Sequence, residues 1–286
     1  MNTMKGKRVI ITGPTSGIGK QMAIQLGAIG ADIVLGCRDI VRGKQVAEEI
    51  HEKIQREFNI DVMQIDTSSF ESIRHFSQQY GDTYSKLDVL INNAGVNRAE
   101  QPREDSVDGI ELTFATNVLG YYLLTVELIN VLKSSVPSRI INVASTFVSD
   151  LDLDDLQFEH RPYDGMKAYA QSKACDRMLT WAFARRLEKS GVTANAMAPG
   201  LVPESNLFSR MSIETRRALQ QRGTANVAQG ANTAVWLASD PEIETVSGQL
   251  FEQRKEVPCN FKNIENEEKL WNICRKMTGS SEIVSV

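Results

Sequence analysis

Residues 8–19 read Arg8-Val9-Ile10-Ile11-Thr12-Gly13-Pro14-Thr15-Ser16-Gly17-Ile18-Gly19, an apolar run followed by a glycine-rich turn. The run predicts a buried strand, and a helical pattern begins near Gly17. A strand that turns through glycines into a helix N-terminus directs unpaired backbone N–H groups and a partial positive charge at one point. The stretch therefore predicts a phosphate site, and the pyrophosphate of a dinucleotide is the first ligand to consider.

The glycine spacing separates this turn from two other phosphate-binding motifs. Three residues lie between Gly13 and Gly17, whereas the Rossmann fingerprint has a single residue between its first two glycines. A P-loop is excluded because Lys20 is followed by Gln21, which leaves no hydroxyl for Mg²⁺. An ordinary strand-to-helix turn stays open as the alternative at this point.

Length and composition restrict the class of protein. The chain has 286 residues, 42% of them apolar and 24% charged, which suits one domain, residues 1–286, with a well-packed core. A net charge of −4 argues against a general nucleic-acid or anionic membrane surface, since either needs a basic face. The four cysteines are far apart and predict free thiols rather than a zinc site. Because we see no signal peptide or membrane span, we expect a cytoplasmic protein, and we expect no metal.

Strands and helices alternate along the chain. Predicted strands cover 8–11, 31–36, 60–65, 87–91, 138–144, 193–197 and 249–251. Predicted helices begin near 17 and cover 41–58, 70–84, 110–132, 165–189, 227–237 and 265–276. The alternation predicts an α/β fold with a single doubly wound parallel sheet of about seven strands and helices on both faces. We expect a sheet of the Rossmann type, for which the strand order would be 3-2-1-4-5-6-7. The C-terminal ends of the strands then share one ligand-binding edge with the glycine turn.

Two longer connections interrupt the alternation, at 146–164 and 201–226, and both follow strand C-terminal ends. Long connections at that edge are often functional, so we expect a substrate lid near 201–226. A solvent-exposed insertion is the alternative. The tail near 252–286 is interpreted as an extension that covers an edge of the sheet.

Tyr169 and Lys173 are four residues apart on a predicted helix, so their side chains share one face. A phenol with a pKa near 10 is a poor acid or base at neutral pH, and a neighbouring ammonium lowers that pKa. The alternative is a surface tyrosine beside a solvated lysine. Ser145 follows the fifth strand on the ligand-binding edge, where its hydroxyl can donate to a carbonyl oxygen, and Asn117 lies in the preceding long helix.

The order of these motifs resembles the short-chain dehydrogenase/reductase family from Arg8 to about Gly248. The resemblance rests on Thr12-Gly13-x-x-x-Gly17-x-Gly19, Asp66, Asn92-Asn93-Ala94-Gly95, Asn117, Ser145, Tyr169, Lys173 and Pro199-Gly200. Cys37-Arg38-Asp39, the long insert before Tyr169 and the tail Glu267-Glu268-Lys269-Leu270-Trp271 resemble the retinol dehydrogenase-like branch. The resemblance implies a nicotinamide cofactor and reversible hydride transfer between it and a carbonyl or alcohol carbon.

The resemblance also implies roles for single residues. Tyr169 would pass a proton to or from the substrate oxygen, and Ser145 would orient that oxygen. Lys173 would lower the pKa of Tyr169 and hold the nicotinamide ribose, and Asn117 would fix a water that links Lys173 to solvent. The implied cofactor-binding residues are Gly13, Thr15, Ser16, Gly17, Ile18, Gly19, Arg38, Asp66, Thr67, Asn93, Ala94, Gly95, Tyr169, Lys173, Pro199, Gly200 and Val202. One departure follows Val202, where the family often has Thr and this chain has Pro203.

Arg38 determines which cofactor we expect. At the end of the second strand an NAD site places Asp or Glu to hold the ribose 2′-OH, and here the chain reads Gly36-Cys37-Arg38. A guanidinium pairs with a 2′-phosphate through two hydrogen bonds. We therefore predict NADP(H) in preference to NAD(H).

The resemblance to the retinol dehydrogenase-like branch implies a bulky hydrophobic carbonyl or alcohol substrate, such as a retinoid-, steroid-, polyketide- or aromatic-ketone-like compound, and apolar residues of the two long connections are the candidates to line its pocket. The predicted pocket residues are Phe147, Val148, Leu151, Leu207, Phe208 and Met211, and packing inside the lid is their alternative role. Reduction of a conjugated C=C bond and NADP(H) sensing without turnover are the alternative functions. The resemblance further implies a homodimer or homotetramer, packed through the helices that carry Asn117 and Tyr169.

Overall fold

Parallel strands form the centre of the molecule. The structure, a computed structural model, describes residues 3–54, 58–149, 151–204, 207, 211–220 and 224–282. Its strands are β1 Arg8–Thr12, β2 Asp32–Cys37, β3 Ile60–Gln64, β4 Val89–Asn92, β5 Ser138–Val143, β6 Val192–Ala198, β7 Leu250–Glu252 and β8 Lys255–Glu256. Their order is β3-β2-β1-β4-β5-β6-β7-β8, with β8 antiparallel to β7 and the other pairs parallel. The predicted fold class and strand order are confirmed, and the two-residue β8 is too short for a sequence pattern to predict.

Helices cover both faces of the sheet. They are α1 Gly17–Ala28, α2 Ile40–Ile54, α3 Phe70–Thr83, α4 Leu112–Phe114, α5 Gly120–Glu127, α6 Ile129–Ser134, α7 Gly165–Arg186, α8 Ile213–Gln220, α9 Val227–Ser239 and α10 Ile264–Thr278. Consecutive strand residues point to opposite faces, so each face builds its own core. In β1, Ile10 belongs to the core that contains residues of α3, α5, α7 and α10, whereas Val9 and Ile11 belong to the core that contains residues of α1, α2 and α9.

The long helix predicted over 110–132 is interrupted. A π-helical turn, Ala115–Leu119, separates α4 from α5, and a single residue, Leu128, separates α5 from α6. Every residue of the π turn is buried, and so are residues 120–126. Because this segment has no exposed face, the spacing of its apolar residues does not reveal that the π turn contains one residue more than a turn of α-helix. Asn117 lies in this π turn, a type of irregularity that occurs frequently at functional sites.

The C-terminal extension has two parts with different positions. β8 adds a strand at the edge of the sheet, whereas α10, which the sequence analysis expects to cover that edge, packs on the outer side of α5 and α7. Trp271 of α10 makes edge-to-face contacts with Tyr122 and Phe183, with ring centroids 4.9 and 5.0 Å apart. Arg186 lies over the same indole ring at 3.9 Å. The helix is therefore anchored by aromatic packing on the layer that carries Tyr169.

Candidate active site

The glycine turn lies between β1 and α1. Gly13 and Gly17 have φ angles of 64° and 53°, in the left-handed region that glycine adopts without strain. A Cβ on Gly19 would lie 2.4 Å from the carbonyl oxygen of Gly13, so the start of α1 packs directly against the turn. The first turn of α1 carries no acidic side chain. The helix N-terminus therefore presents backbone N–H groups without a competing carboxylate from its own first turn.

Thr12 ties this turn to the loop that follows β4. Its hydroxyl accepts hydrogen bonds from the backbone N–H groups of Asn93 and Ala94, at 2.9 and 3.0 Å. The Asn93 side chain donates in turn to the carbonyl oxygens of Thr12 and Gly13, at 2.8 and 3.2 Å. The sequence motif contains Thr12 but assigns it no role, because only the fold shows that the two loops touch.

A cleft of about 710 Å³ runs along the C-terminal edge of the sheet. It is lined by most of the residues predicted for the cofactor, namely Gly13, Thr15, Ser16, Gly17, Ile18, Gly19, Arg38, Asp66, Thr67, Asn93, Ala94, Gly95, Tyr169, Lys173 and Pro199. Other lining residues, Asn97, Arg98, Glu104, Leu112 and Thr116, come from the connection after β4 and from the helix that it enters. No motif marks these positions, so sequence reasoning misses them.

Tyr169 and Lys173 line the cleft one helical turn apart on α7. Tyr169 is 6% exposed, and burial raises the pKa of its hydroxyl, while a hydrogen bond with Ser145 acts in the opposite direction. Ser145 Oγ accepts a hydrogen bond from the backbone N–H of Phe147 at 3.0 Å, so its own proton is available for donation. The structure thus brings the predicted Ser145, Tyr169 and Lys173 together.

Lys173 is buried, and its ammonium group carries three N–H donors. Nζ donates to the carbonyl oxygen of Val143 at 2.9 Å and to Asp176 Oδ2 at 2.7 Å. The ring of Tyr121 lies 5.1 Å from the same nitrogen. Within the described part of the chain, one N–H is left for a group that enters the cleft.

Asn117 joins the loop after β4 to α7. Its Nδ2 donates to the Val96 carbonyl oxygen at 3.0 Å and to Ser172 Oγ at 2.9 Å, and its Oδ1 accepts the Val96 N–H at 2.9 Å. Both amide protons are therefore used by the protein, and any further contact of this side chain is through its oxygen.

A family model described as short chain dehydrogenase matches residues 7–214, which is well over half of the chain. The chain belongs to the short-chain dehydrogenase family. The match extends from the strand before the glycine turn, through Tyr169 and Lys173, into the first residues of α8.

This short-chain dehydrogenase is 35% identical to retinol dehydrogenase 14 from Homo sapiens over 297 residues, which cover 96% of this chain and 87% of the relative. Among solved structures, an uncharacterized protein from Mycobacterium paratuberculosis matches with a TM-score of 0.75 and 26% identity, covering 97% of this chain and 95% of that one. A short-chain dehydrogenase from Burkholderia cenocepacia J2315, solved in complex with NADP, matches with a TM-score of 0.70 and 25% identity, covering 87% and 96%. The predicted resemblance to the family and to its retinol dehydrogenase-like branch is confirmed.

At the end of β2 the dehydrogenase presents one cation and one anion to the cleft. Arg38 and Asp39 are both exposed and both line it. Asp39 Oδ1 accepts the backbone N–H of Arg42 at 2.9 Å and so caps the start of α2. The carboxylate thus already serves the helix, whereas no such anchoring holds the Arg38 side chain within the described residues.

The loop after β3 supplies Asp66 and Thr67 to the cleft. Asp66 Oδ1 accepts hydrogen bonds from the N–H and the hydroxyl of Ser68, at 2.9 and 2.7 Å, which fixes the orientation of the carboxylate. A Cβ on Gly120 would lie 2.3 Å from the carbonyl oxygen of Thr67, so α5 begins in close contact with this loop.

The turn after β6 is only partly in the cleft. Pro199 lines it, but Gly200 and Val202 do not belong to its lining. Gly200 has a φ of 73°, and Val202 is 1% exposed because it packs on α9. A Cβ on Gly230 of α9 would lie 2.8 Å from Val202 Cγ2. The Val202 side chain therefore belongs to the packing between the loop and α9.

The residues predicted for the substrate pocket occupy different environments. Leu207 lines the cleft, Phe147 is 48% exposed, and Met211 is buried. Phe208 lies outside the described residues. Only Leu207 among the described members of the set is thus in direct contact with the cleft.

The connection 146–164 is anchored on α7. Its Arg161 donates through Nη2 to Gln171 Oε1 at 2.9 Å, and Gln171 is 2% exposed. Val148 and Leu151 are partly buried, and Leu151 packs against the core that contains α7. This connection is a packed segment rather than a free surface insertion.

Several broader features bear on the expected chemistry. All four cysteines are free thiols. Within the part of the chain that the structure describes, no three His, Cys, Asp or Glu side chains gather as a metal site would require. No helix among those residues has the length and apolar character needed to cross a bilayer.

Glu100, in the connection after β4, caps α8 across a long sequence separation. Its carboxylate accepts hydrogen bonds from the Ser212 N–H at 2.7 Å and the Thr215 hydroxyl at 2.6 Å. Since these bonds anchor the first turn of α8, we expect E100A to speed limited proteolysis within 211–220 several-fold. The exposed Glu188, replaced in E188A, is the control. Equal cleavage rates in E100A and the wild type would contradict this role.

Proposed function

We propose that this short-chain dehydrogenase is an NADP(H)-dependent oxidoreductase that interconverts the carbonyl and the alcohol of a bulky hydrophobic substrate. One observation carries the proposal. Ser145 interacts with the Tyr169 hydroxyl and acts to lower its pKa, and Tyr169 and Lys173 line the same cleft as the N-terminus of α1. A dinucleotide with its phosphates at the N-terminus of α1 would therefore have its nicotinamide half in the same cleft as the proton donor Tyr169.

The cleft suits a nicotinamide dinucleotide in shape and in its donors. Gly13 and Gly19 pack so closely against neighbouring residues that neither position has room for a side chain. A Cβ on Gly13, for example, would lie 2.8 Å from Ala94 Cα. These contacts hold the turn, the start of α1 and the loop after β4 together at the cleft, where the backbone N–H groups of the first turn of α1 are the donors for a pyrophosphate. Asp66 and Arg38 line the part of the cleft that the family resemblance assigns to the adenosine half. When bound, the dinucleotide supplies or accepts the hydride at the substrate carbon.

The chain itself handles the oxygen and its proton. Tyr169 gives its proton to the substrate oxygen in reduction and takes it back in oxidation. The Ser145 proton, which the Phe147 N–H leaves available, stabilises the charge that develops on that oxygen. The remaining N–H of Lys173 holds a ribose hydroxyl of the cofactor, and Asn117 keeps the loop after β4 in place against α7.

Oxidation of NADPH in the presence of hydrophobic aldehydes and ketones, followed by nicotinamide absorbance, tests the function. We expect turnover with at least one substrate class and an alcohol as the product. A product that keeps its carbonyl but has lost a conjugated C=C bond would identify the alternative reductase activity. Tight NADPH binding without turnover across the panel would instead identify a sensor and overturn the proposal.

Replacement of Arg38 by Asp tests the cofactor preference. Because an Arg–phosphate pair contributes about 1.5–3 kcal/mol, R38D is expected to raise the KM for NADPH by at least about tenfold and to shift the preference toward NADH. The matched charge reversal K44D, at an exposed position of α2, is expected to leave the KM for NADPH nearly unchanged. An unchanged KM for NADPH in R38D would show that the assignment is wrong.

A further inference from the structure

Asp176 is a buried carboxylate directly beside Lys173. The two residues are three apart on α7, and Lys173 Nζ lies 2.7 Å from Asp176 Oδ2. Their side chains are 4% and 0% exposed, so the surrounding protein shields both charges from solvent. A charged pair at such depth is strongly coupled, because water does not screen it.

Among the titratable groups of the described residues that interact with Asp176, no cation other than Lys173 is found. The titratable groups that interact with it are Lys173, Tyr169 and Cys175 on α7, Tyr121 on α5, and Cys274 on α10. Asp176 Oδ1 and the Tyr121 hydroxyl are both buried without a hydrogen-bond partner within the described residues. The carboxylate therefore directs its charge mainly at Lys173.

The pair has a consequence for Tyr169. An ammonium near a phenol lowers the pKa of that phenol, and an adjacent carboxylate cancels this effect. The pKa of Tyr169 is raised, first by burial and further by Asp176, against the hydrogen bond with Ser145. Burial raises the pKa of Asp176, while the ion pair with Lys173 at 2.7 Å opposes this shift and favours the charged carboxylate.

We propose that Asp176 is a positioning residue that holds Lys173 in the cleft, neutralises its charge and thereby keeps the proton on Tyr169, which extends carbonyl reduction to higher pH and moves the onset of alcohol oxidation to higher pH. The proposal rests on the proposed function for the reaction concerned. In reduction, the carbonyl π bond breaks, the carbon takes a hydride from NADPH, and the oxygen takes the Tyr169 proton. NADPH is thereby oxidised to NADP⁺, and Tyr169 regains a proton from solvent. Oxidation requires Tyr169 to lose its proton first.

D176N removes the charge while keeping the size of the side chain, and D176E keeps the charge. A control, T180V, alters another buried polar group on α7, whose hydroxyl donates to the Asp176 backbone oxygen at 2.7 Å. Two readouts apply to all three variants. One is the pH profile of kcat/KM in each direction. The other is the ultraviolet difference titration of tyrosinate in the ligand-free protein, with the Y169F signal subtracted to isolate Tyr169.

With D176N we expect both profiles and the Tyr169 titration to move to lower pH by about one unit or more, because Lys173 is then unopposed. D176E and T180V should leave both readouts near those of the wild type. Unmoved profiles and an unmoved titration in a folded D176N protein would overturn the inference. A titration that moves in a protein without carbonyl turnover would support the positioning role while rejecting the proposed function.

The wild-type protein provides a test that does not depend on the folding of D176N. The proposal requires that Tyr169 of the ligand-free protein forms no tyrosinate below about pH 10, the usual value for a free phenol. A tyrosinate step from Tyr169 near neutral pH would overturn it.

Discussion

Tyr169→Phe is expected to lower kcat for carbonyl reduction by at least about a hundredfold, while the affinity for NADPH stays close to that of the wild type. The change removes the proton donor but keeps the ring, which is buried and lines the cleft. No other group described in the cleft combines a removable proton with contact to Ser145. The loss should therefore appear in the chemical step rather than in binding.

Steady-state kinetics together with NADPH binding separates these two effects for Y169F. A suitable control is Y84F, which removes a phenol that donates to Asp61 at 2.8 Å at the end of α3. Y84F should keep near-normal kcat. If Y169F kept near-normal turnover as well, Tyr169 would not be the proton donor, and the proposed mechanism would fail.

Gly19→Ala is expected to lower the affinity for NADPH by at least about tenfold and the free energy of unfolding by about 1–3 kcal/mol. The added Cβ would lie 2.4 Å from the Gly13 oxygen and 2.5 Å from Asn93 Nδ2. One of these neighbours is backbone, and the other is the amide that ties the turn to the loop after β4. The substitution should therefore displace the glycine turn and that loop together.

Gly81→Ala is the matched control, because it makes the same change inside a helix where no atom lies within 4 Å of the new Cβ. Replacing a helical glycine at such a position should stabilise the fold by about 0.5–1 kcal/mol without changing NADPH affinity. Fluorescence titration of NADPH and urea denaturation measure the two quantities. Wild-type affinity in a folded G19A protein would show that the turn does not bind the dinucleotide.

The sequence predicts the parts of this fold that depend on local signals. Apolar strands, helical periodicity and the glycines of the turn are local, and they lead to the correct strand order and to most of the cleft lining. The C-terminal helix is also predicted nearly at its observed bounds, because its apolar residues follow helical spacing. The predicted roles of Ser145, Asn117 and Lys173 stay predictions, although the structure places Asn117 against Ser172 of α7, the helix that carries Lys173.

The features that sequence reasoning misses depend on contacts between distant segments. Asp176 and Arg177 resemble surface residues of a helix, and only the packing of α7 buries them at 1% and 6% exposure. Arg177 then donates to the carbonyl oxygen of Ser145, a contact that no spacing rule indicates. α8 is not predicted because it lies in a polar connection whose helix is capped by Glu100, more than a hundred residues earlier.

The position of α10 bears on the predicted association of subunits through the helices that carry Asn117 and Tyr169. A subunit contact through α5 and α7 would need their outer surfaces, and Trp271 already occupies the surface formed by Tyr122 and Phe183. α10 thus covers part of the surface that the predicted subunit contact would use. A homodimer of this dehydrogenase would have to assemble beside α10 or displace it, so assembly and the docking of that helix are coupled processes.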